Sequence, residues 1–246
     1  MIDLSPASWA ISILSGFFIG IAKTGISGLG IAVVPLMASV FPARASTGII
    51  LPMLIMADII AVIYYRKHAQ WNHLLRIIPF SVVGVIAGFL LLGRVGDHEM
   101  RIVIASLILV LVALNMLRDV GVIRDEMIPT NLVFTAVMGI LAGATTMLAN
   151  AAGPIMVVYL LSMKLEKKEF IGTGSWYFFF VNCFKVPFSA SLGLITPATL
   201  AFNGLLFPAI AVGAVTGILI VKRIPQRVFQ IVVQLLAVAG AIKLFF

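Results

Sequence analysis

Two stretches, Lys23-Thr24-Gly25-Ile26-Ser27-Gly28-Leu29-Gly30 and Thr145-Thr146-Met147-Leu148-Ala149-Asn150-Ala151-Ala152-Gly153-Pro154, interrupt otherwise apolar runs at 8–41 and 129–163. Both runs exceed the about 20 apolar residues that one helix needs to cross a hydrocarbon layer about 30 Å thick. Glycine and polar residues break the helical pattern at these points, so each run reads as a hairpin of shortened helices. Further apolar runs follow at 46–65, 74–93 and 99–117 after the first hairpin, and at 170–193, 197–221 and 227–246 after the second. The pattern predicts an all-α membrane protein built of two such units.

Composition points the same way. Of 246 residues, 62% are hydrophobic and 11% charged, against about 45–50% and about 25% in soluble domains. A net charge of +8 is spread in short clusters between apolar runs, not along one continuous basic face, which speaks against nucleic acid as a partner. The lone cysteine, Cys183, excludes an intramolecular disulfide and a multi-cysteine metal site. The start, Met1-Ile2-Asp3-Leu4, lacks the positive region of a cleaved signal peptide, so the first apolar run is expected to be retained. No cofactor is expected.

The two units resemble each other. Gly16, Gly20 and Gly30 recur as Gly139, Gly143 and Gly153, a spacing of 123 residues; Thr47-Gly48 recurs as Thr173-Gly174 at 126; Pro79, Gly84, Gly88 and Arg94 recur as Pro208, Gly213, Gly217 and Arg223 at 129. A steady drift in spacing is what small insertions in a duplicated unit produce. The expected units are 1–123 and 124–246. The glycines spaced four apart permit close approach of helices in lipid, and packing is the role assigned to them. Such faces are compatible with a homodimer as well as with contacts inside one chain.

Orientation follows from the cations. If each hairpin returns to its own side, Arg66, Lys67, Arg76, Arg118, Arg124, Lys164, Lys167, Lys168, Lys222, Arg223 and Arg227 share one side, and only Arg44, Arg94, Arg101 and Lys243 share the other. The richer side is cytoplasmic. Each unit then crosses an odd number of times, so the second is inverted relative to the first, the architecture of secondary transporters with a midplane site at the interrupted segments. The expected location is the inner or plasma membrane, with the lipid bilayer and a small anionic substrate as partners.

Two cations remain, Lys23 and Lys185, each inside an apolar run. Ionisable groups at membrane depth are expensive and mark functional sites or buried pairs. Lys185 stands near Asn182 and Trp176, and two readings apply to it: a cationic contact for an anion, or an ion pair with Asp58, the one acidic residue of the 46–65 run. For Lys23 the competing reading is snorkelling to the outer surface from the end of a short helix. Half-helices starting after Gly30 and Gly153 would point unpaired N–H groups and positive dipole ends at an anion. Pro154 suits a first helical position. Thr24, Ser27, Thr145, Thr146 and Asn150 add uncharged donors. Asp58 is also a candidate for proton coupling, because an anion bound to a neighbouring lysine alters the charge around it.

An enzyme is the contrasting class. Gly25-Ile26-Ser27-Gly28 resembles the Gly-x-Ser-Gly of rhomboid intramembrane proteases, yet His68, His73 and His98 all fall in loops, leaving Ser27 without a base. No His-Glu-x-x-His set exists for zinc.

Taken together, the first unit's Gly16-Phe17-Phe18-Ile19-Gly20, Lys23-Thr24-Gly25, Gly28, Gly30, Pro35 and the Asp58 to Trp71 stretch with Tyr65-Arg66-Lys67-His68 form a recognisable set. The second unit adds Gly143, Asn150, Gly153-Pro154, Tyr159-Leu160-Leu161, Lys167, Glu169-Phe170, Gly172-Thr173, Asn182 and Lys185-Val186-Pro187. This arrangement resembles the TauE/SafE family over nearly the whole chain. The resemblance implies a duplicated transporter exporting sulfite or a small organosulfonate such as sulfoacetate. On this reading a small anion binds between Lys23, Thr24, Gly25, Ser27 and Gly28 on one side and Thr145, Asn150 and Gly153 on the other, with Trp176, Asn182 and Lys185 completing the site. An anion channel would use the same donors.

The orientation is testable directly. Tags on both termini are expected to react with an impermeant reagent only from outside the cell, and a tag protected in intact cells would overturn both the orientation and the inversion.

Overall fold

The computed structural model describes residues 4–25, 30–119 and 131–220, together with 235, 238, 239 and 242. All regular structure among these residues is helical: α1 Pro6–Thr24, α2 Gly30–Ala38, α3 Ala43–Tyr65, α4 Trp71–Leu92, α5 Asp97–Asp119, α6 Leu132–Ala149, α7 Gly153–Ser162, α8 Lys167–Ser191 and α9 Pro197–Ile220. A short 3-10 turn, Arg66–His68, joins α3 to α4. The expected run at 227–246 lies almost wholly outside the described residues, as do Ser27 and Gly28.

Local chemistry sets the boundaries. Ser5 caps α1 by accepting from the Ser8 N–H at 3.2 Å, with Pro6 in the first turn where no N–H is missed. Asn131 caps α6 through the Phe134 N–H at 2.8 Å. Glu166 and Glu169 form a reciprocal capping box at the start of α8. α6 ends at Asn150, whose φ of 52° and ψ of 30° place it in the left-handed region that asparagine tolerates better than most residues. Its N–H returns to the Thr145 and Thr146 carbonyls.

The two hairpins differ from the expectation in one respect. Only their second arms are short: α1 and α6 have 19 and 18 residues, while α2 and α7 have 9 and 10. At 1.5 Å per residue the second arms reach about 14 Å, half of a hydrocarbon core, whereas the first arms can cross it. The reason lies in packing, because α1 and α6 use their whole lengths against α9 and α4. Among the described residues five helices, α1, α3, α4, α6 and α9, are long and apolar enough to cross a membrane.

Close approach explains the glycines. A Cβ on Gly143 would overlap the Ser81 carbonyl and lie 2.8 Å from the Val85 nitrogen, and one on Gly213 would overlap the Phe17 carbonyl. Gly84 and Gly88 sit against Ile140, Ala144 and Met147, and Gly20 against Ile210 and Ala214, so α4 runs parallel to α6 and α1 parallel to α9.

Contacts at the ends give the sense of each helix. Trp9 and Phe41 both pack on Phe202, at 5.2 and 5.6 Å between ring centroids, so α1 and α3 start at one end. They finish together as well, the Tyr65 hydroxyl donating to the Thr24 carbonyl at 2.9 Å. At that second end, Tyr159 of α7 donates to the His73 carbonyl at 3.3 Å, and Phe134, near the start of α6, stacks on Tyr159. α6 therefore starts where α1 finishes, and the two run in opposite senses.

Gly143→Val is expected to cost about 1–3 kcal/mol by forcing α4 and α6 apart, seen as a fall of several degrees in the melting temperature of detergent-solubilised protein. Gly204→Ala, where nothing lies within 4 Å of the added Cβ, should leave it unchanged or slightly raised.

Candidate functional site

The helix ends that flank the two breaks meet. A cavity of about 70 Å³ lies between the end of α1 (Ala22, Lys23), the start of α2 (Gly30, Ile31), the end of α6 (Thr146, Asn150), the start of α7 (Gly153, Pro154) and the inner face of α8. One water occupies about 10–15 Å³ by this measure, so the space suits a small oxyanion or a few waters. Both short helices begin at its wall, α2 with Gly30 and α7 with Gly153 followed by Pro154. Leu54, Val157, Leu160, Phe170 and Phe178 make most of the rest of the wall apolar, and Ser175 adds a hydroxyl that donates to the Ile171 carbonyl at 2.8 Å.

Around the cavity runs a chain of buried polar groups. Lys23 Nζ lies 2.8 Å from Asp58 Oδ1, with side-chain exposures of 11% and 0%. The same ammonium sits 4.0 Å from the centroid of the Phe178 ring, a favourable cation–π position. Asp58 Oδ2 accepts from the Asn182 amide at 2.6 Å, and Asn182 Oδ1 accepts from Lys185 Nζ at 3.3 Å. Lys185, 2% exposed, also donates to Asn150 Oδ1 at 2.7 Å and Thr146 Oγ1 at 3.1 Å. Asn150 in turn donates to the Thr47 carbonyl at 2.9 Å, pinning the second break to the start of α3.

This geometry gives both lysines partners inside the protein. Lys23 does not snorkel: its partner Asp58 holds it inside, because separating the pair at this depth would strand a buried charge. Lys185 does not pair directly with Asp58, since Asn182 stands between them and bonds to both. Among the described residues, Lys185 is held by neutral oxygens alone, and the cluster contains two lysines and one carboxylate.

The other sequence candidates separate into two groups. Lys23, Asn150, Gly153 and Asn182 line the cavity, with Lys185 directly behind Asn150, Thr146 and Asn182. Thr24 and Thr145 turn away from it. Thr24 donates to the Gly20 and Ala214 carbonyls at 3.0 and 2.8 Å, and Thr145 to the Leu141 carbonyl at 2.8 Å, so each hydroxyl is used by helix backbone. Gly25 closes α1 through its N–H to the Ile21 carbonyl. Trp176 is not part of the wall; it packs on Trp71 at 5.2 Å and on Phe180 at 5.7 Å. Sequence reasoning did not single out Phe178, one helical turn before Asn182 on the same face of α8, or the pairing of Lys23 with Asp58. Working out that α1 and α3 finish together would have brought the second within reach.

A family profile described as Sulfite exporter TauE/SafE matches residues 12–244. The chain belongs to the TauE/SafE family. TauE/SafE is a transporter family, and its membership together with the five long apolar helices makes this a membrane protein. Neither a curated protein nor a solved structure matches this TauE/SafE chain.

The ion pair predicts a coupled response. Lys23→Met and Asp58→Leu are each expected to lower stability by about 3–5 kcal/mol, because either leaves a buried charge alone. The double variant should lose far less than the sum, as read by thermal unfolding in detergent. Additive losses would show that the two side chains do not stabilise each other.

Proposed function

We propose that this protein is a secondary transporter that exports a small anion, sulfite or a small organosulfonate such as sulfoacetate, through a site between its two helix breaks. The observation that carries the reading is the charge balance at the cavity. Two buried lysines face one carboxylate among the described residues, so an anion entering the cavity neutralises the excess. Lys23 and the first turns of α2 and α7 provide direct donors, while Lys185 acts through Asn150, Thr146 and Asn182 or advances when the anion arrives. The apolar wall of Leu54, Val157 and Phe178 accommodates a short carbon chain on an organic acid.

Alternating access fits the helix arrangement. The opposite senses of α1 and α6, and the exchange by which α1 packs on α9 and α4 on α6, support two inverted units, 1–123 and 124–246, that rock about the site in the inner or plasma membrane. Asp58 is the proposed proton-coupling residue. It is the carboxylate on which Lys23 and Asn182 converge, so an anion that draws Lys23 away leaves it free to accept a proton.

Uptake into proteoliposomes tests this. Labelled sulfite or sulfoacetate should enter saturably and faster under an imposed proton gradient. Lys185→Ala should raise KM about ten- to a hundredfold, the equivalent of a lost charge-assisted contact, and Asp58→Asn should carry flux that no longer responds to the gradient. An ohmic single-channel current would replace the transporter with an anion channel, and a gradient response retained by Asp58→Asn would remove its coupling role.

A further inference from the structure

A second concave site lies away from the central cavity, at the end where α3 finishes. A groove of about 430 Å³ runs between α3 and α9, its apolar floor made by Ile60, Ile63 and Ile218 and its mouth by Tyr64, Arg66, Lys67 and His68. The helix face leading into it is open to lipid: Ile63 is 66% and Tyr64 56% exposed. Arg66 and Lys67 are exposed, and among the described residues neither forms an ion pair. His68 leaves its Nδ1 buried without a hydrogen-bond partner among the described residues. Tyr64 packs edge-on against Tyr65 at 4.8 Å, which holds the mouth of the groove to the end of the helix.

We propose that this groove binds an anionic phospholipid, with the phosphate at Arg66 and Lys67 and an acyl chain along Ile60, Ile63 and Ile218. Charge complementarity selects the occupant. A zwitterionic lipid brings its own ammonium beside Arg66 and Lys67 and leaves their net charge uncompensated, while a soluble anion would leave the isoleucine floor unfilled. The site sits at the last turn of an apolar helix, where headgroup and chain separate by depth. Basic side chains there do more than orient the protein, because α9 closes a wall opposite them. The 3-10 turn contributes by projecting three consecutive cationic or titratable residues from one turn of backbone.

Purified full-length protein, delipidated in mild detergent, would be titrated with phosphatidylglycerol or phosphatidylcholine and bound lipid counted by native mass spectrometry. Phosphatidylglycerol should bind selectively. Arg66→Gln with Lys67→Gln should weaken it roughly 25-fold, the product of two interfacial cations at about fivefold each. Ile218→Trp, which fills the floor and keeps every charge, should block it as well, and decides the matter if the double variant does not fold. Arg94→Gln with Arg101→Gln, at the opposite end, should bind as wild type. Equal binding of the two lipids, wild-type binding by Ile218→Trp, or full competition by glycerol 3-phosphate would overturn the proposal.

Discussion

The ion pair between Lys23 and Asp58 is the contact on which the centre of this protein depends. In a medium of low dielectric neither charge can be left alone, so the end of α1 must lie against the middle of α3. Asp58 then reaches Asn182 on α8, Asn182 reaches Lys185, and Lys185 reaches Thr146 and Asn150 at the end of α6. One continuous set of charge-assisted bonds thus joins both breaks to the two helices that run between them. The cavity is the space left over where these groups cannot pack.

Glycine supplies the complementary constraint. Lipid offers little hydrophobic drive for helix association, so contact area and close backbone approach must hold the bundle together. At Gly20 and Gly213 on one side, and Gly84 and Gly143 on the other, any side chain would collide with facing backbone. The result is two closely packed parallel pairs, α1 with α9 and α4 with α6, flanking the polar centre. The short arms α2 and α7 reach only part of the way across, which brings their first turns, with unpaired N–H groups, to the cavity wall.

Two kinds of polar residue at membrane depth can be distinguished here. Thr145 and Ser175 donate to carbonyls of their own helices, the usual accommodation of a hydroxyl in an apolar segment. Lys23, Asp58, Asn182 and Lys185 instead bond between helices and carry charge or a full amide, so they cannot be satisfied locally. That difference separates residues that merely tolerate the bilayer from those that define a site.

Much of this was legible in the sequence, because bilayer thickness and backbone saturation act on every residue alike. The helical class, the two breaks, the starts of α2 at Gly30 and of α7 at Gly153, and the packing glycines all follow from local pattern and period. Lys23, Asp58, Asn182 and Lys185 stood out because polar groups are costly in an apolar run. What they bond to did not follow, since pairing across 35 or 124 residues depends on which helices lie side by side and in which sense. The same sequence signal marked Thr24, Thr145 and Trp176, which the packing turned elsewhere. Residue type determined which groups needed a partner; only the tertiary structure decided which partner, because that choice is set by helix contacts formed far apart along the chain.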